Sequence, residues 1–393
     1  MPSPSTPPPP SSWAILGAIP RVSADDLSLD LAAPPRVSLL TIPKRMFPAE
    51  VTPRNYPRLL AADPSGLLLL HADQGRAASP TVNDRPNHQS FCWREFVAGY
   101  FVLDAADSAL ALPEPELIMN AGHVGIIASP TGSGYMVAEL QPFLGDDHAT
   151  LLCFSSDVGE WVDKTVNYPL PARHLSSDAV VSLHGRLWWI DLSWCIAACD
   201  PFADDPHLTV VPLPPGTALG YGQAAGVLDR YRAVGVSAGK LRFVDMYRNR
   251  DPSGALQVTI WTLPHPDSTE WELEHQASFH HIWDHHTYKA AGLPSKIPVL
   301  ALIHPDHPAV VYFFLDDHLF GVDLRDHAVV ACDLYHLVDP PRDLVSARFV
   351  HAWQLPQALR SPSALPQVIN AKSLALHYLH AAVHSAALTL QDE

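Results

Sequence analysis

One pattern limits this chain more than any other. An apolar strand, a turn of Gly, Asp, Ser or Pro, and a second short strand follow one another five times. Residues 100–104 run into the polar turn 105–108. Residues 151–155 run into 156–160 and then Trp161, and residues 196–200 run into 201–206 and then 208–211. Residues 259–263 lead through 264–270 to Trp271, and residues 319–323 through 324–327 to Val329 and Val330. Each unit is a hairpin signature. The marks Asp104, Ser155, Asp200, Leu263 and Asp323 are spaced by 51, 45, 63 and 60 residues. Periods of this size, built of short strands, are the sign of propeller blades, which bury both faces by stacking radially on their neighbours.

The strands before the marks agree. Gly185-Arg-Leu-Trp-Trp-Ile-Asp191 and Gly239-Lys-Leu-Arg-Phe-Val-Asp245 each follow a glycine turn with alternating residues and end on Asp. Alternation puts Leu187 and Trp189 on one face and Trp188 and Ile190 on the other, so both faces are buried, as an inner propeller strand requires. Five blades fit into residues 57–340. A sixth is assembled from residues 13–16, 27–31 and 37–42 and completed by 347–353, so that both termini close the ring and remove its open edges. The expected fold is all-β and propeller-like, with six blades, a short internal helix at 279–290 and a C-terminal amphipathic helix within 364–390. The domain plan is a disordered Pro/Ser-rich leader at 1–12, the propeller at 13–356, and a linker with the C-terminal helix at 357–393.

Composition narrows the function. With 41 acidic and 25 basic residues the formal net charge is −16, which argues against nucleic acid and against an anionic membrane surface as partners. The 39 prolines break helices and leave central strands, again favouring short strands and many turns. Five cysteines, none in a Cys-x-x-Cys pair, support neither a zinc ribbon nor a redox motif, and Cys195 and Cys199 read as small buried thiols. No apolar run approaches the ~20 residues of a membrane span. A soluble, cytoplasmic or nuclear protein is expected.

Few residues suggest chemistry. Gly235-Val-Ser-Ala-Gly239 has the form of a nucleophile elbow, but the alternating residues after it are a strand where the elbow needs a helix, so Ser237 reads as part of a hairpin turn. Gly220-Tyr-Gly222-Gln-Ala-Ala225 follows a Pro-rich loop rather than a strand, so it reads as a loop between blades and not as a dinucleotide fingerprint. In the histidine-rich stretch 279–290, Ser278 caps a helix and Gly292 ends it. Phe279, Ile282, Trp283, His286 and Ala290 then share the packing face, while His281 and His285 point outwards one turn apart. Two histidines without a third ligand make a weak metal candidate. No metal and no cofactor are expected. His304-Pro-Asp-His307-Pro reads as a turn between strands. Of the ten tryptophans, Trp194 and Trp283 are the candidates for interface anchors at a propeller rim.

The segments Glu160-Trp-Val-Asp-Lys164, Gly185-Arg-Leu-Trp-Trp189 with Asp191-Leu-Ser-Trp194, and Val236-Ser-Ala-Gly-Lys-Leu-Arg-Phe-Val-Asp245 resemble the plant, mainly grass, family known as domain of unknown function 1618. So do Trp271-Glu-Leu-Glu-His275, Ile297-Pro-Val-Leu-Ala-Leu-Ile-His304 with Val311-Tyr-Phe-Phe-Leu315, and Ser346-Ala-Arg-Phe-Val-His-Ala-Trp353. The likeness runs from about Trp13 to Pro356 and carries no activity, cofactor or catalytic residue. Its β-rich character is similar to the region that follows F-boxes in plant adaptors, from which this chain departs because residues 1–60 hold no Leu-rich helical pattern. The expected function is a non-enzymatic scaffold that presents a propeller face to a protein partner. The alternative is a hydrolytic or metal-assisted enzyme with Asp, Glu and His lining the channel.

Overall fold

The five hairpins of the sequence all occupy the same place: they are the third and fourth strands of five four-stranded antiparallel sheets. The computed structural model describes residues 11–76, 81–85, 88–92, 96–104, 108–115, 120–132, 134–143, 145–170, 173–335, 349–360 and 367–368. From the centre outwards, blade I holds Arg58–Ala62, Leu67–Arg76, Phe96–Asp104 and Ser108–Ala111. Blade II holds Val124–Ala128, Tyr135–Pro142, His148–Ser155 and Trp161–Asn167, and blade III holds Ala179–Leu183, Arg186–Ile190, Cys195–Cys199 and Thr209–Pro212. Blade IV holds Arg232–Ser237, Lys240–Asp245, Gln257–Thr262 and Glu272–Ser278, and blade V holds Val299–Ile303, Val310–Leu315, His318–Asp323 and Ala328–Leu334. The all-β propeller fold follows from this arrangement.

Blade III shows why these residues form strands with two buried faces. Leu187, Trp188, Trp189 and Ile190 are all fully buried. Leu187 and Trp189 join the core shared with blade II, while Trp188 and Ile190 join the core shared with blade IV. Each such side chain contributes about 1.5–3 kcal/mol by leaving water. Arg186–Ile190 is the second strand from the centre rather than the innermost; Ala179–Leu183 lies inside it. Tight hairpins join the two. His184 (φ 51°) with Gly185 (φ 73°) in blade III and Ala238 (φ 46°) with Gly239 (φ 70°) in blade IV are two-residue loops with both residues left-handed, the turn whose twist matches the strands.

The expected count of six blades is corrected to five. Apart from the two-stranded hairpin Thr81–Arg85 with His88–Cys92, the remaining strands make a six-stranded mixed sheet in the order Val350–Gln354, Trp13–Gly17, Val37–Pro43, Ser28–Asp30, Gln367–Val368, with Arg21–Ser23 also on Val37–Pro43. It holds no hairpin of the repeated kind. Trp13–Gly17 pairs antiparallel with Val350–Gln354 and parallel with Val37–Pro43. The late strand therefore does not complete Val37–Pro43 directly. Trp13–Gly17 is buried at every residue and occupies the place between them.

The internal helix is also two helices rather than one. Ser278 caps the first, Phe279–Asp284, by accepting the His280 N–H. His285 then turns extended (φ −65°, ψ 142°) and caps the second, His286–Ala290, by accepting the Thr287 N–H at its side chain. The break rephases the second half, so Tyr288 is buried while His286 and Ala290 are exposed. The expected C-terminal helix lies outside the described residues, except that Gln367–Val368 pair as a strand with Ser28–Asp30. Of the leader at 1–12, residues 1–10 also lie outside them, while Ser12 O accepts the Leu355 N–H.

Candidate functional site

The innermost strands of the blades and Val350–Gln354 surround a central cavity of about 180 Å³. Its wall is mostly small and apolar, with Ala62, Ile126, Val181, Val234, Ala301 and Ala352 among the lining residues. Polar groups gather where the inner strands begin: Arg58, Asp178, Asp229, Arg232 and His351. Several of them hold backbone. Asp178 Oδ2 accepts the Leu192 N–H at 3.0 Å, and Arg232 donates to Leu192 O at 2.8 Å. The same guanidinium donates to Asp245 Oδ1 at 2.9 Å in a buried pair. Burial pushes the Asp245 carboxyl up, against the pull of Arg232. His351 donates Nε2–H to Leu59 O at 3.1 Å, and burial lowers its pKa to about 4. A general base works best with a pKa near the ambient pH, so an imidazole this hard to protonate is a poor one at neutrality.

The rim carries a second arrangement. Arg173 lies before blade III, and its guanidinium donates to Leu219 O at 2.9 Å and to Ser193 Oγ at 2.5 Å. Its carbon sits 4.6 Å from the centroid of Trp194 and 5.8 Å from that of Tyr221. Trp194 is half-buried in the core of blades II and III, whereas Tyr221 is 79% exposed. Trp194 lies in the turn after Arg186–Ile190, and Tyr221 in the connection from blade III to blade IV. Gly222 (φ 72°) and Gly226 (φ 76°) turn that connection back on itself. The result is an aromatic–cation–aromatic stack with one open face. Trp194 was singled out in the sequence. Tyr221 was not, although the glycines around it were the signal of a turn that leaves a side chain outside.

The other sequence candidates are dispersed. Trp283 is half-buried against Phe279, with ring centroids 6.0 Å apart. His285 is a helix cap, so it and His281 are not a pair on one continuous helix. Ser237 is fully buried and donates Oγ–H to His304 O at 2.5 Å, which leaves no exposed nucleophile. Residues 221–227 form turns, followed by the single 3-10 turn Leu228–Arg230 and then the first strand of blade IV, where a dinucleotide fingerprint needs a long helix. His304 and His307 lie in the turn between the first two strands of blade V. His304 Nδ1 accepts the Asp306 and His307 N–H groups, and burial first, then His307, lowers its pKa to about 4. Cys195 and Cys199 are buried, and burial pushes both thiols up to about 12. Among the described residues no helix is long and apolar enough to cross a membrane.

Solved structures with a related course of chain are distant. A chain of the mitotic checkpoint complex is 12% identical, with TM-score 0.34; the likeness covers 70% of this chain and 63% of that one, so this chain spans less than two thirds of its length. The Nup133 β-propeller domain of Vanderwaltozyma polyspora is 8% identical over 74% of this chain and 77% of that one, with TM-score 0.35. Apo AztD from Citrobacter koseri is 12% identical over 84% of each chain, with TM-score 0.30. No curated protein matches in sequence. Residues 189–312, which run from Trp189 of blade III to Tyr312 of blade V, match the family described as "Protein of unknown function (DUF1618)", and this supports the family that the motifs of the whole chain resemble.

Proposed function

We propose that this chain is a non-enzymatic interaction scaffold that presents the rim of blades III and IV to a protein partner, with Tyr221 as the anchor. The observation that carries the reading is the stack itself. A large aromatic side chain is held out of the core at 79% exposure, backed by a guanidinium that two hydrogen bonds and Trp194 keep in place. Rigid aromatic residues of this kind dominate interface energies once a partner covers them. The finer reading of the mixed sheet belongs with it. Val350–Gln354 packs against the inner strands of blades I and V, and its pairing with Trp13–Gly17 shuts the ring that holds this rim rigid.

A photoreactive amino acid in place of Tyr221 tests the scaffold in an extract of the organism's own cells. One discrete protein adduct is expected from position 221, lost on Arg173→Ala. None is expected from Val158, which is 65% exposed in a turn of blade II on the opposite face. Equal adducts from both positions, or none at 221, would count against the rim. The enzyme reading has its own observation, the convergence of Asp178, Asp229 and His351 on the cavity. Turnover of an ester or phosphoester probe that His351→Gln abolishes would favour it.

A further inference from the structure

The rim beside Tyr221 carries the opposite charge from the chain as a whole. Residues 206–250 hold six basic and two acidic side chains, in a chain of 25 basic against 41 acidic. The fold sorts the six. Arg232 is buried on Asp245, and Arg242 is buried on Glu274. Lys240 stands at the hairpin with Ser237, at the far end of blade IV. The other three, Arg230, Arg248 and Arg250, lie at the end where the inner strand Arg232–Ser237 begins, the end that also carries Tyr221. Among the described residues none of these three meets a carboxylate: Arg248 rests on Tyr247, and Arg250 donates to Gly254 O at 3.0 Å.

Two tyrosines hold the group together. The rings of Tyr231 and Tyr247 lie 6.2 Å apart, and the Met246 N–H donates to Tyr231 O at 2.8 Å. The guanidinium carbon of Arg248 is 5.3 Å from the centroid of Tyr247, and that of Arg232 is 5.4 Å from it. Arg232 also donates to Leu192 O, in the turn that carries Trp194, so this surface and the stack on Arg173 share one support. Asn249 stiffens the turn by donating to Asp245 O at 3.0 Å and to Thr259 Oγ1 at 2.9 Å. Arg248 has φ 53°, a conformation that Gly or Asn adopts more readily, so turn geometry does not account for an arginine there. The nearby carboxylates are engaged or buried. Asp245 is held by Arg232, Asp229 is buried, and Asp251 accepts the Ser253 and Ala255 N–H groups.

We infer that the partner of this rim docks through an acidic segment, rich in Asp and Glu, seated across Arg230, Arg248 and Arg250. The inference rests on the rim as the interaction face and adds the chemistry of what it holds. Guanidinium groups take carboxylates through paired N–H donors, and an arginine stacked on a ring keeps its outer donors free for them. The net charge of −16 repels an acidic segment from the molecule at large, so a local cationic surface also decides where such a segment lands. Val227, 40% exposed between Tyr221 and Arg230 in the chain, adds an apolar contact beside the charges.

Fluorescence anisotropy of a labelled ten-residue oligoglutamate, titrated with the full chain at low salt, tests the surface. Saturable binding that weakens as salt rises is expected. Arg230→Ala and Arg248→Asn, the latter suited to the left-handed turn, should each weaken it about threefold, and Arg230→Lys should weaken it less. Lys240→Ala, an exposed cation removed from the opposite end of blade IV, should leave it unchanged. No saturable binding, or an equal loss with Lys240→Ala, would overturn the inference. So would tighter binding of a single-stranded oligonucleotide than of the peptide. The crosslink from position 221 is read separately. An adduct there without oligoglutamate binding keeps the rim and overturns the acidic partner, whereas oligoglutamate binding without an adduct supports the acidic docking and removes only Tyr221 as anchor.

Discussion

Blade III and the mixed sheet each bury a tryptophan completely, and they reach that end by opposite routes. Blade III is local: its four strands follow one another through antiparallel hairpins between residues 179 and 212. Trp189 is fully buried and donates its indole N–H to His123 O at 2.7 Å, reaching across to the chain before blade II. The mixed sheet is assembled from distant pieces. Trp13 stands opposite Gln354, and Ile15 lies beside Val37 in a parallel register that no hairpin can make. Trp353 is as deeply buried and donates to Asp63 O at 3.1 Å, bridging to blade I. The burial is the same, but blade III closes its loops over a few residues and the mixed sheet over the whole chain. The second must therefore overcome a larger loop-closure entropy before its contacts form.

Removing one side of that sheet is the most drastic way to break the comparison. Truncation after Asp343 deletes Val350–Gln354, uncovers the backbone edge of Trp13–Gly17 and exposes Trp13 and Ile15. It should give an aggregating chain, whereas truncation after Arg360, which removes only the two-residue edge strand Gln367–Val368, should lower the Tm little. Thermal scans and light scattering on the two truncations decide this, and equal stability would show that the strand closes nothing.

Matched cavities sharpen it. Trp189→Ala and Trp353→Ala should each destabilise by about 3–5 kcal/mol. The first should lower one cooperative transition in calorimetry. The second should add an early transition as the mixed sheet parts ahead of the blades. A single transition in both variants would mean that the mixed sheet unfolds as an ordinary blade does.

Acid gives the smallest and most graded effect. His351 lies in the mixed sheet, and the His304 ring lies 4.4 Å from that of Trp13. Both pKa values are lowered to about 4, by burial in each case first. A depressed histidine pKa means that the fold prefers the neutral ring. The stability it confers is whole above the unfolded value of ~6.5 and is lost as pH falls towards about 4, at about 1.4 kcal/mol per unit for each ring. His123, also lowered to about 4 by burial first, places one such group between blades II and III. Hydrogen exchange at pH ~5 should therefore release Trp13–Gly17 and Val350–Gln354 before the strands of blade III. Simultaneous release would remove the distinction.

What the sequence made legible divides along the same line. The five hairpins, the two buried faces of Arg186–Ile190 and the turn at Ser237 follow from neighbours within ten residues, where alternation and turn chemistry act directly. The sixth blade was an extrapolation from strands at both ends, whose hairpin, Ser28–Asp30 with Val37–Pro43, does not repeat the pattern of the other five. Nothing near Trp13 says that its partner is Gln354, because register between distant strands is set by packing after collapse. The break at His285 escaped for a different reason: a histidine side chain can cap a helix, but Ser, Thr, Asp and Asn are the residues from which caps are read. In the stack on Arg173, Trp194 drew notice by its bulk. The exposure of Tyr221 depends on how the connection from blade III folds back over Arg173, and no periodicity encodes that.

The position of Trp13–Gly17 at the heart of the mixed sheet also sets a clock. That strand leaves the ribosome more than three hundred residues before the strand it pairs with, Val350–Gln354. At translation rates of ~5–20 residues per second, an apolar segment waits roughly 20–70 s for its partner. During that interval blades I to V can each fold in turn from local hairpins, while Trp-Ala-Ile-Leu-Gly remains without half of its sheet. A nascent chain of this design depends on whatever shields Trp13–Gly17 until Val350–Gln354 arrives.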